Sequence, residues 1–269
     1  MSDLAPRKAP IRRHRSLFLS DLHLGAIGAR ADLALRFLNQ NRADRYFLVG
    51  DIFDVGMPFS LGRTAACDAV INHLRRRQVE GAELIYLIGN HDPVAMAAPK
   101  RPRLPVEPVE EIIHVAADGR RYLVVHGHRQ DRAFVRNHLL TRIGTYVESF
   151  ARLIFAAAMR NTHQRSPGKN GTLDKLFAGL NVVLHLGRGH ERRLAELARQ
   201  RGVDGVICGH YHMAGLHDRY GLVYANCGDW VTSITCLSED YSGGLHLVDG
   251  RAVQVFDSGL LPETQVAHA

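Results

Sequence analysis

The stretch "LIGNHD", residues 87–92, ends an apolar run on three consecutive polar side chains, Asn90, His91 and Asp92. Each of them can bind a metal ion or exchange hydrogen bonds with a reacting group. A glycine and an asparagine after a strand are also common turn residues, so the stretch alone is compatible with an ordinary loop. Its meaning depends on which other polar residues the fold brings to the same place.

Other apolar runs also end in polar residues, and together they predict an α/β fold. Strands are predicted at about 16–20, 45–49, 83–88, 120–125 and 203–208, and helices at about 30–41 and 64–80. Strands that alternate with helices indicate a central sheet, and ligands gather at the carboxyl ends of its strands. The region after residue 220 has short β runs and predicts a mostly antiparallel meander or second sheet. A sandwich of two sheets flanked by helices accommodates both halves.

Polar side chains that can bind metal follow these predicted strand ends: Asp21, His23, Asp51, Asn90, His91, His126, His210 and His212. Carboxylate, imidazole and amide groups suit Mn, Fe or Zn ions, and two divalent cations would neutralise the carboxylates. Side chains two positions apart on extended backbone point the same way, so one Asp-x-His or His-x-His pair can hold one ion. The glycines at 50, 89 and 209 are expected to let the chain turn sharply.

These blocks, taken in order over residues 21–212, resemble the motifs of the calcineurin-like metallophosphoesterase superfamily. The resemblance implies an α/β fold, a four-layer αββα sandwich of two mixed sheets between helices. It also implies two metal ions, Mn²⁺ first, with Fe or Zn as alternatives. The implied ligands are Asp21, His23 and His212 for the first ion, Asn90, His126 and His210 for the second, and Asp51 as the bridge.

The resemblance further implies a hydrolytic reaction, in which a water shared by the two ions is deprotonated and attacks phosphorus. His91 would act as general acid to the leaving oxygen or stabilise the transition state. Asp92 would orient His91 by accepting its other ring proton, with a helix N-cap as the alternative role.

The domain organisation is predicted to be a basic, disordered leader at residues 1–15 followed by one metallophosphoesterase domain at 16–269. Binding to an anionic surface is the alternative for the leader. A helical insertion is predicted at about 132–201, and its helix at 134–157 is apolar on more than one face. Such a helix either touches lipid as a lid or packs on the core or a second copy. Arginines expected to bind substrate, or else to face solvent, are Arg132, Arg136, Arg160 and Arg165.

Within the superfamily, "SDLHLG", "GDIFD" and the insertion are most similar to the UDP-2,3-diacylglucosamine diphosphatase group of lipid A biosynthesis. This implies a lipid-linked nucleotide diphosphate as substrate. That group carries Gly-Asn-Arg-Asp where this chain has Gly-Asn-His-Asp, and "GHRQD" at 127–131 also departs from it. The alternative is a soluble phosphodiesterase or phosphatase acting on nucleotides or another phosphoester. A non-catalytic scaffold is disfavoured because every ligand position is filled. Asn226, Asp229 and Trp230 either contact substrate or form a structural turn.

The composition limits the partners and the compartment. A net charge of +7 is compatible with several anionic partners and selects none of them. A single Trp and 7% aromatic residues do not provide the stacking groove of a nuclease, so nucleic acid is not expected as a partner. Four cysteines without CxxC spacing suit the cytoplasm. A peripheral contact with the cytoplasmic face of the inner membrane is expected, and the sequence indicates no oligomeric state.

Overall fold

The strands that carry the polar blocks belong to two sheets. The computed structural model describes residues 10–26, 28–54, 64–92, 104–130 and 189–252. In chain order the elements are β1 (Arg12–Leu19), α1 (Ala31–Gln40), β2 (Asn41–Val49), α2 (Ala65–Val79), β3 (Glu83–Leu87), β4 (Glu111–Val115), β5 (Arg121–Val125), α3 (Gly189–Gln200), β6 (Gly205–Cys208), β7 (Gly215–His217), β8 (Val223–Asn226), β9 (Thr235–Glu239) and β10 (Leu245–Asp249). A 3₁₀ turn at His128–Gln130 follows β5.

Both sheets are mixed and have five strands. The first has the order β10-β9-β1-β2-β3, in which β1, β2 and β3 are parallel and the β9–β10 hairpin adds antiparallel to β1. The second has the order β4-β5-β6-β8-β7, in which β5, β6 and β8 are parallel and the edge strands are antiparallel. Parallel neighbours place their carboxyl ends at the same sheet edge, so the residues that follow them meet there.

The alternation of side chains along the strands creates four layers. Phe18 and Phe47 of the first sheet pack against Ile207 of the second, in the core between the sheets. Their strand neighbours face the other way: Leu48 joins the core under α1 and α2. On the far side, Leu194 of α3 packs on the outer face of the second sheet. Side chains of a strand point alternately to opposite faces, so one strand serves two cores. The predicted αββα sandwich is confirmed.

The C-terminal strands differ from the predicted meander. The β7–β8 hairpin belongs to the second sheet, where β8 runs parallel to β6, whereas the β9–β10 hairpin belongs to the first sheet. Each hairpin has an apolar face, and Ala225 and Leu237 both enter the core between the sheets. Because the two hairpins belong to different sheets, the apolar face of each hairpin can be buried between the sheets. The edge strand β4, which the sequence analysis missed, is short and has mostly exposed or half-buried residues.

The predicted leader and insertion are only partly within the described residues. β1 begins at Arg12 and pairs with β2 from that residue onward, so this strand reaches back into the predicted leader. Of the insertion at 132–201, the described part includes α3, and the apolar helix at 134–157 lies outside the described residues. Over the ranges that are described, no helix has the length and apolar character needed to cross a bilayer.

A buried carboxylate joins the two sheets. Glu239 of β9 has a fully buried side chain that pairs with Arg15 of the first sheet and lies 2.9 Å from the Nε2 of His114 in the second sheet. It also accepts hydrogen bonds from the Ser16 hydroxyl at 2.6 Å and the Ala117 amide at 2.9 Å. Burial would raise the pKa of Glu239, but the contacts with His114 and Ser16 hold that pKa at about 2.

We expect Glu239→Gln to lower the free energy of unfolding by ~3 kcal/mol, because a buried charge network loses its anion. The folded-state pKa, about 2, lies below the ordinary value of 4.5, so the carboxylate stabilises the protein fully above pH 4.5 and less as the pH falls toward 2. Urea denaturation should therefore show the two proteins converging in stability as the pH falls from about 4.5 to about 2.

The matched control is Glu83→Gln, since Glu83 pairs with Arg45 at 3.0 Å with both side chains exposed. It should change stability by less than ~1 kcal/mol. Equal effects of the two variants at neutral pH would contradict the role given to Glu239.

Candidate metal centre

The predicted polar blocks do follow the carboxyl ends of five strands. Asp21 and His23 come after β1, Asp51 after β2, Asn90 and His91 after β3, His126 after β5, and His210 and His212 after β6. The structure brings their ligand atoms together in three overlapping groups, with all atoms of each group within 4.8 Å of one another. The groups are Asp21, His23 and His212; His23, Asp51 and His91; and Asp51, His126 and His210.

The backbone at these positions is not extended, contrary to the prediction. Positive φ angles occur at Asp21 (53°), His23 (43°), Asp51 (51°), His210 (70°) and His212 (55°). Left-handed backbone costs about 1–2 kcal/mol at each non-glycine residue. Such strain is concentrated at functional sites, where the surrounding structure imposes it. As a result Asp21 and His23 do share one group, but His210 and His212 contribute to different groups.

The glycines in the blocks act in two different ways. Gly50 has φ +80° and makes the sharp turn that was predicted. Neither Gly89 nor Gly209 has a positive φ, and both are needed because chains approach closely. A Cβ at position 89 would lie 2.2 Å from the Asp51 amide nitrogen, and a Cβ at position 209 would lie 1.7 Å from Ser20 Oγ.

In the first group, a buried carboxylate oxygen faces two imidazole nitrogens. Asp21 Oδ2 accepts hydrogen bonds from the Ser20 hydroxyl and, at 3.0 Å, from the His210 amide. Asp21 Oδ1 is buried and makes no well-formed hydrogen bond. It lies 3.1 Å from His212 Nε2 and 3.7 Å from His23 Nε2, and these two nitrogens are 3.4 Å apart. One carboxylate oxygen and two imidazoles fit a divalent transition metal.

In the third group, Asn90 lies beside Asp51 and His126, and three acceptor atoms converge. His126 Nδ1 lies 2.9 Å from the Val49 carbonyl oxygen and must carry the proton of that hydrogen bond. The Nε2 of His126 then presents its lone pair, 3.2 Å from Asn90 Oδ1 and 3.3 Å from Asp51 Oδ2. Acceptors cannot satisfy one another, so a proton or a metal ion is required among them.

The electrostatic field at the site favours cations. Burial disfavours the charged form of both rings, yet the Asp51 carboxylate raises the pKa of His126 to about 9, and the Asp21 carboxylate raises that of His212 to about 10. Conversely, the imidazoles hold the pKa of both Asp21 and Asp51 below the usual range even though burial opposes this. The negative potential that raises these imidazole pKa values also favours a bound metal cation. The carboxylate, imidazole and amide donors of the site fit such an ion.

Asp92 has different partners from those predicted. Its buried carboxylate accepts backbone hydrogen bonds from Asp51 (2.7 Å), Ile52 (3.0 Å), Phe53 (3.0 Å) and Gly89 (2.9 Å). These donors occupy both oxygens, so the predicted bond to the His91 ring is not formed between these two described residues. Asp92 instead fixes the turn that carries Asp51. A helix beginning after Asp92 would lie outside the described residues.

Asp54, which the sequence analysis did not single out, takes the place expected for Asp92. Its Oδ1 lies 3.6 Å from His91 Nδ1 and its Oδ2 lies 3.6 Å from His23 Nδ1. Burial would raise the pKa of Asp54, but these two imidazoles hold that pKa below its usual range. The available signal was a second carboxylate inside the "GDIFD" block.

The "NCGDW" loop is a structural turn. Asn226, Asp229 and Trp230 are all fully buried. The Asn226 amide donates to the Gly209 carbonyl at 3.1 Å, and the Trp230 ring packs 5.4 Å from that of Phe37. The four arginines predicted to bind substrate lie outside the described residues, so that expectation stays a prediction.

Comparison with known proteins identifies the family. Two mixed sheets between helices, with histidines and carboxylates gathered at the strand ends, indicate the class of metal-binding α/β proteins. The family model of calcineurin-like phosphoesterases matches residues 14–214, which is most of the chain. The chain therefore belongs to the calcineurin-like phosphoesterase family and is a hydrolase of phosphoester bonds. This family binds a dimetal centre.

Solved structures resemble the fold at low sequence identity. Wild-type Vps29 complexed with zinc, from Entamoeba histolytica, is 14% identical with a TM-score of 0.41, over 87% of this chain and 98% of that chain. The phosphoesterase Yfce from E. coli is 15% identical with a TM-score of 0.40, over 87% and 98%. A dimetal phosphatase from Danio rerio is 14% identical with a TM-score of 0.41, over 83% and 91%. No curated protein matches the sequence.

Gly89→Ala should displace Asp51, because the new methyl group would lie 2.2 Å from a backbone nitrogen that cannot rotate away. We expect a loss of ~2 kcal/mol in stability, as for other overpacked interiors, together with weaker metal binding. Gly215→Ala is the control, since its nearest neighbour would be 3.9 Å away. Thermal unfolding and zinc titration measure both effects. Wild-type metal affinity in Gly89→Ala would show that the close approach does not position Asp51.

Proposed function

We propose that this chain hydrolyses a phosphoester or pyrophosphate bond with two divalent metal ions. The proposed ligands are Asp21, His23 and His212 for the first ion and Asn90, His126 and His210 for the second, with Asp51 between the two. The single observation that carries the proposal is the buried Oδ1 of Asp21, which has no well-formed hydrogen bond and lies between two imidazole nitrogens.

Further geometry supports two ions instead of one. Asp51 belongs to two of the three groups, one with His23 and His91 and one with His126 and His210. This is the placement expected of a carboxylate that contacts both ions. When bound, the ions supply Lewis-acid polarisation of the phosphoryl oxygens and a water of lowered pKa. Mn²⁺ is the first expectation, with Fe or Zn as alternatives, because the donor set accepts all of them.

His91 is proposed to assist departure of the leaving oxygen. Its amide donates to Asp51 Oδ1 at 2.7 Å, and its ring Nδ1 lies 3.6 Å from Asp54, so both ends of the residue are held. The side chain is 19% exposed, whereas that of His126 is fully buried, so substrate can reach His91. With Nδ1 directed at Asp54, Nε2 is available to donate a proton or a hydrogen bond to a phosphoryl or leaving oxygen.

The first substrate class to consider is a lipid-linked nucleotide diphosphate such as UDP-2,3-diacylglucosamine. The support is the resemblance of "SDLHLG" and "GDIFD" to that enzyme group and the predicted apolar insertion. Under this proposal the protein acts in the cytoplasm at the inner membrane surface, and Arg132, Arg136, Arg160 and Arg165 bind phosphates or headgroups. The partner is then a phosphorylated lipid, without nucleic acid.

The second candidate is a soluble phosphodiesterase or phosphatase acting on nucleotides or another phosphoester. One specific observation favours it: His91 stands in the centre where the diphosphatase group has arginine, and it shares a group with His23 and Asp51. An imidazole can give up a proton to a leaving oxygen near neutral pH, whereas a guanidinium cannot.

His91→Ala should lower kcat by ~10²–10⁴-fold, the range for loss of a general acid, while both metal ions stay bound. Turnover of bis-aryl phosphate with Mn²⁺ and elemental analysis of the purified protein measure the two quantities. His246→Ala is the control, because His246 is exposed and pairs with Asp240. Full activity in His91→Ala would remove this residue from the mechanism. Fewer than two ions in active wild-type protein would contradict the dimetal centre.

A substrate panel distinguishes the two candidates. The Mn²⁺-loaded protein is tested on bis-aryl phosphate, aryl phosphate and UDP-2,3-diacylglucosamine, and kcat/KM is compared. The lipid proposal expects the acylated substrate to exceed both aryl esters by at least ~100-fold, since a chamber for acyl chains contributes binding energy. Equal or lower kcat/KM for the acylated substrate would favour the soluble phosphodiesterase or phosphatase.

A further inference from the structure

We infer that Asp229 is a positioning residue that holds His212 in the tautomer required for binding the first metal ion. This inference rests on the proposed metal centre. Asp229 is fully buried, and its Oδ2 lies 3.2 Å from His212 Nδ1. The other ring nitrogen of His212, Nε2, lies 3.1 Å from Asp21 Oδ1. The His212 ring thus has its Nδ1 toward the Asp229 carboxylate and its Nε2 toward the proposed metal site.

The Asp229 carboxylate is itself fixed by the turn between β8 and β9. Its Oδ1 accepts the amide hydrogens of Val231 (2.8 Å), Thr232 (2.5 Å) and Ser233 (3.0 Å). Its Oδ2 accepts the Thr232 hydroxyl at 2.7 Å. The next residue in the turn, Trp230, donates its amide to the Asp21 carbonyl at 3.1 Å. The loop is therefore tied to the same block that supplies the first metal ligand, and Oδ2 has little freedom to move.

A carboxylate at this distance decides which ring nitrogen of His212 can bind metal. An ionised carboxylate only accepts, so the Nδ1 of His212 must carry the proton, which leaves the lone pair of the neutral ring on Nε2. A carboxylate behind a metal-binding histidine also makes the ring a stronger ligand. His126, a proposed ligand of the second ion, has its Nδ1 proton fixed by a backbone carbonyl instead, that of Val49 at 2.9 Å. The two proposed ions thus differ in how a histidine ligand is oriented.

Oδ1 of Asp229 accepts the three turn amides, whereas Oδ2 faces His212 and the Thr232 hydroxyl, and this difference makes the inference testable. Asp229→Asn can keep an acceptor oxygen toward the three amides while replacing Oδ2 by an NH₂ group. That group donates, so it cannot accept the Nδ1 proton of His212. The ring would then favour the other tautomer, with the proton on Nε2, and that nitrogen would no longer bind metal without losing its proton. Ser233→Ala is the matched control, because it removes the 2.7 Å bond from the Asp229 amide and leaves Oδ2 facing His212.

The experiment titrates Zn²⁺ into metal-free wild type, Asp229→Asn and Ser233→Ala, with calorimetry and with ion counts after gel filtration. Wild type and Ser233→Ala should bind two ions. Asp229→Asn should bind one ion with unchanged affinity and the other ~10–100-fold more weakly, the range seen for lost partners of histidine ligands. The thermal midpoint of each metal-free protein reports any loss of fold separately.

Two unchanged sites in Asp229→Asn, or the same loss in Ser233→Ala, would overturn the positioning role while leaving the proposed function intact. Fewer than two ions in wild type would overturn the proposed metal centre and this inference with it. A second measurement needs no variant: in zinc-loaded wild type labelled with ¹⁵N-histidine, His212 should show a protonated Nδ1 and a zinc-bound Nε2. The reverse tautomer would overturn the inference even if Asp229→Asn failed to fold.

Discussion

Acceptor atoms that are buried facing one another require a positive charge between them. This requirement determines the arrangement of side chains at the carboxyl ends of the parallel strands. Asp21 Oδ1 lies 3.1 Å from one imidazole nitrogen, and the lone pair of His126 lies 3.2–3.3 Å from an amide and a carboxylate oxygen. Without a cation such contacts are repulsive and expensive to bury. The fold tolerates them because the two cores on either side of each sheet hold the strands in place, and the family to which the chain belongs binds a dimetal centre.

The sequence was sufficient to predict the layers and the gathering of polar side chains at the strand ends, because both depend on local pattern and order. Alternating apolar residues locate strands such as β1 and β2, and parallel strands bring their carboxyl ends together whatever the details of the turns. The partners of individual side chains depend on approaches between distant segments, which no local pattern encodes. Asp92 and Asp54 illustrate this: both are acidic residues near His91 or Asp51 in sequence, but Asp92 accepts backbone amides of Asp51 and Gly89 whereas Asp54 faces the rings. The division of the C-terminal hairpins between two sheets is unpredictable for the same reason.

The hydrogen bonds around the centre form a hierarchy that starts at the backbone. Asp92 fixes the turn of Asp51 with main-chain hydrogen bonds, and Asp51 in turn anchors the amide of His91. Asp54 stands behind both His91 and His23. The positive φ angles at Asp21 and Asp51 are held by hydrogen bonds from their own backbone amides, to the Gly50 carbonyl and the Asp92 carboxylate. The strained backbone and the rigid side chains therefore have the same cause, the hydrogen bonds around these residues. Both keep the proposed metal-binding atoms in position in the metal-free protein.

Each proposed ion would draw ligands from both sheets. Asp21 and His23 follow a strand of the first sheet whereas His212 follows a strand of the second, and Asp51 faces His126 in the same way across the sandwich. The proposed ions would therefore find a complete ligand set only after the two sheets have packed together. Once bound, they would hold the two sheets to each other. Ion binding would then raise the free energy of unfolding of the native state. Chelation would lower this free energy for both sheets as well as remove the metal-dependent chemistry.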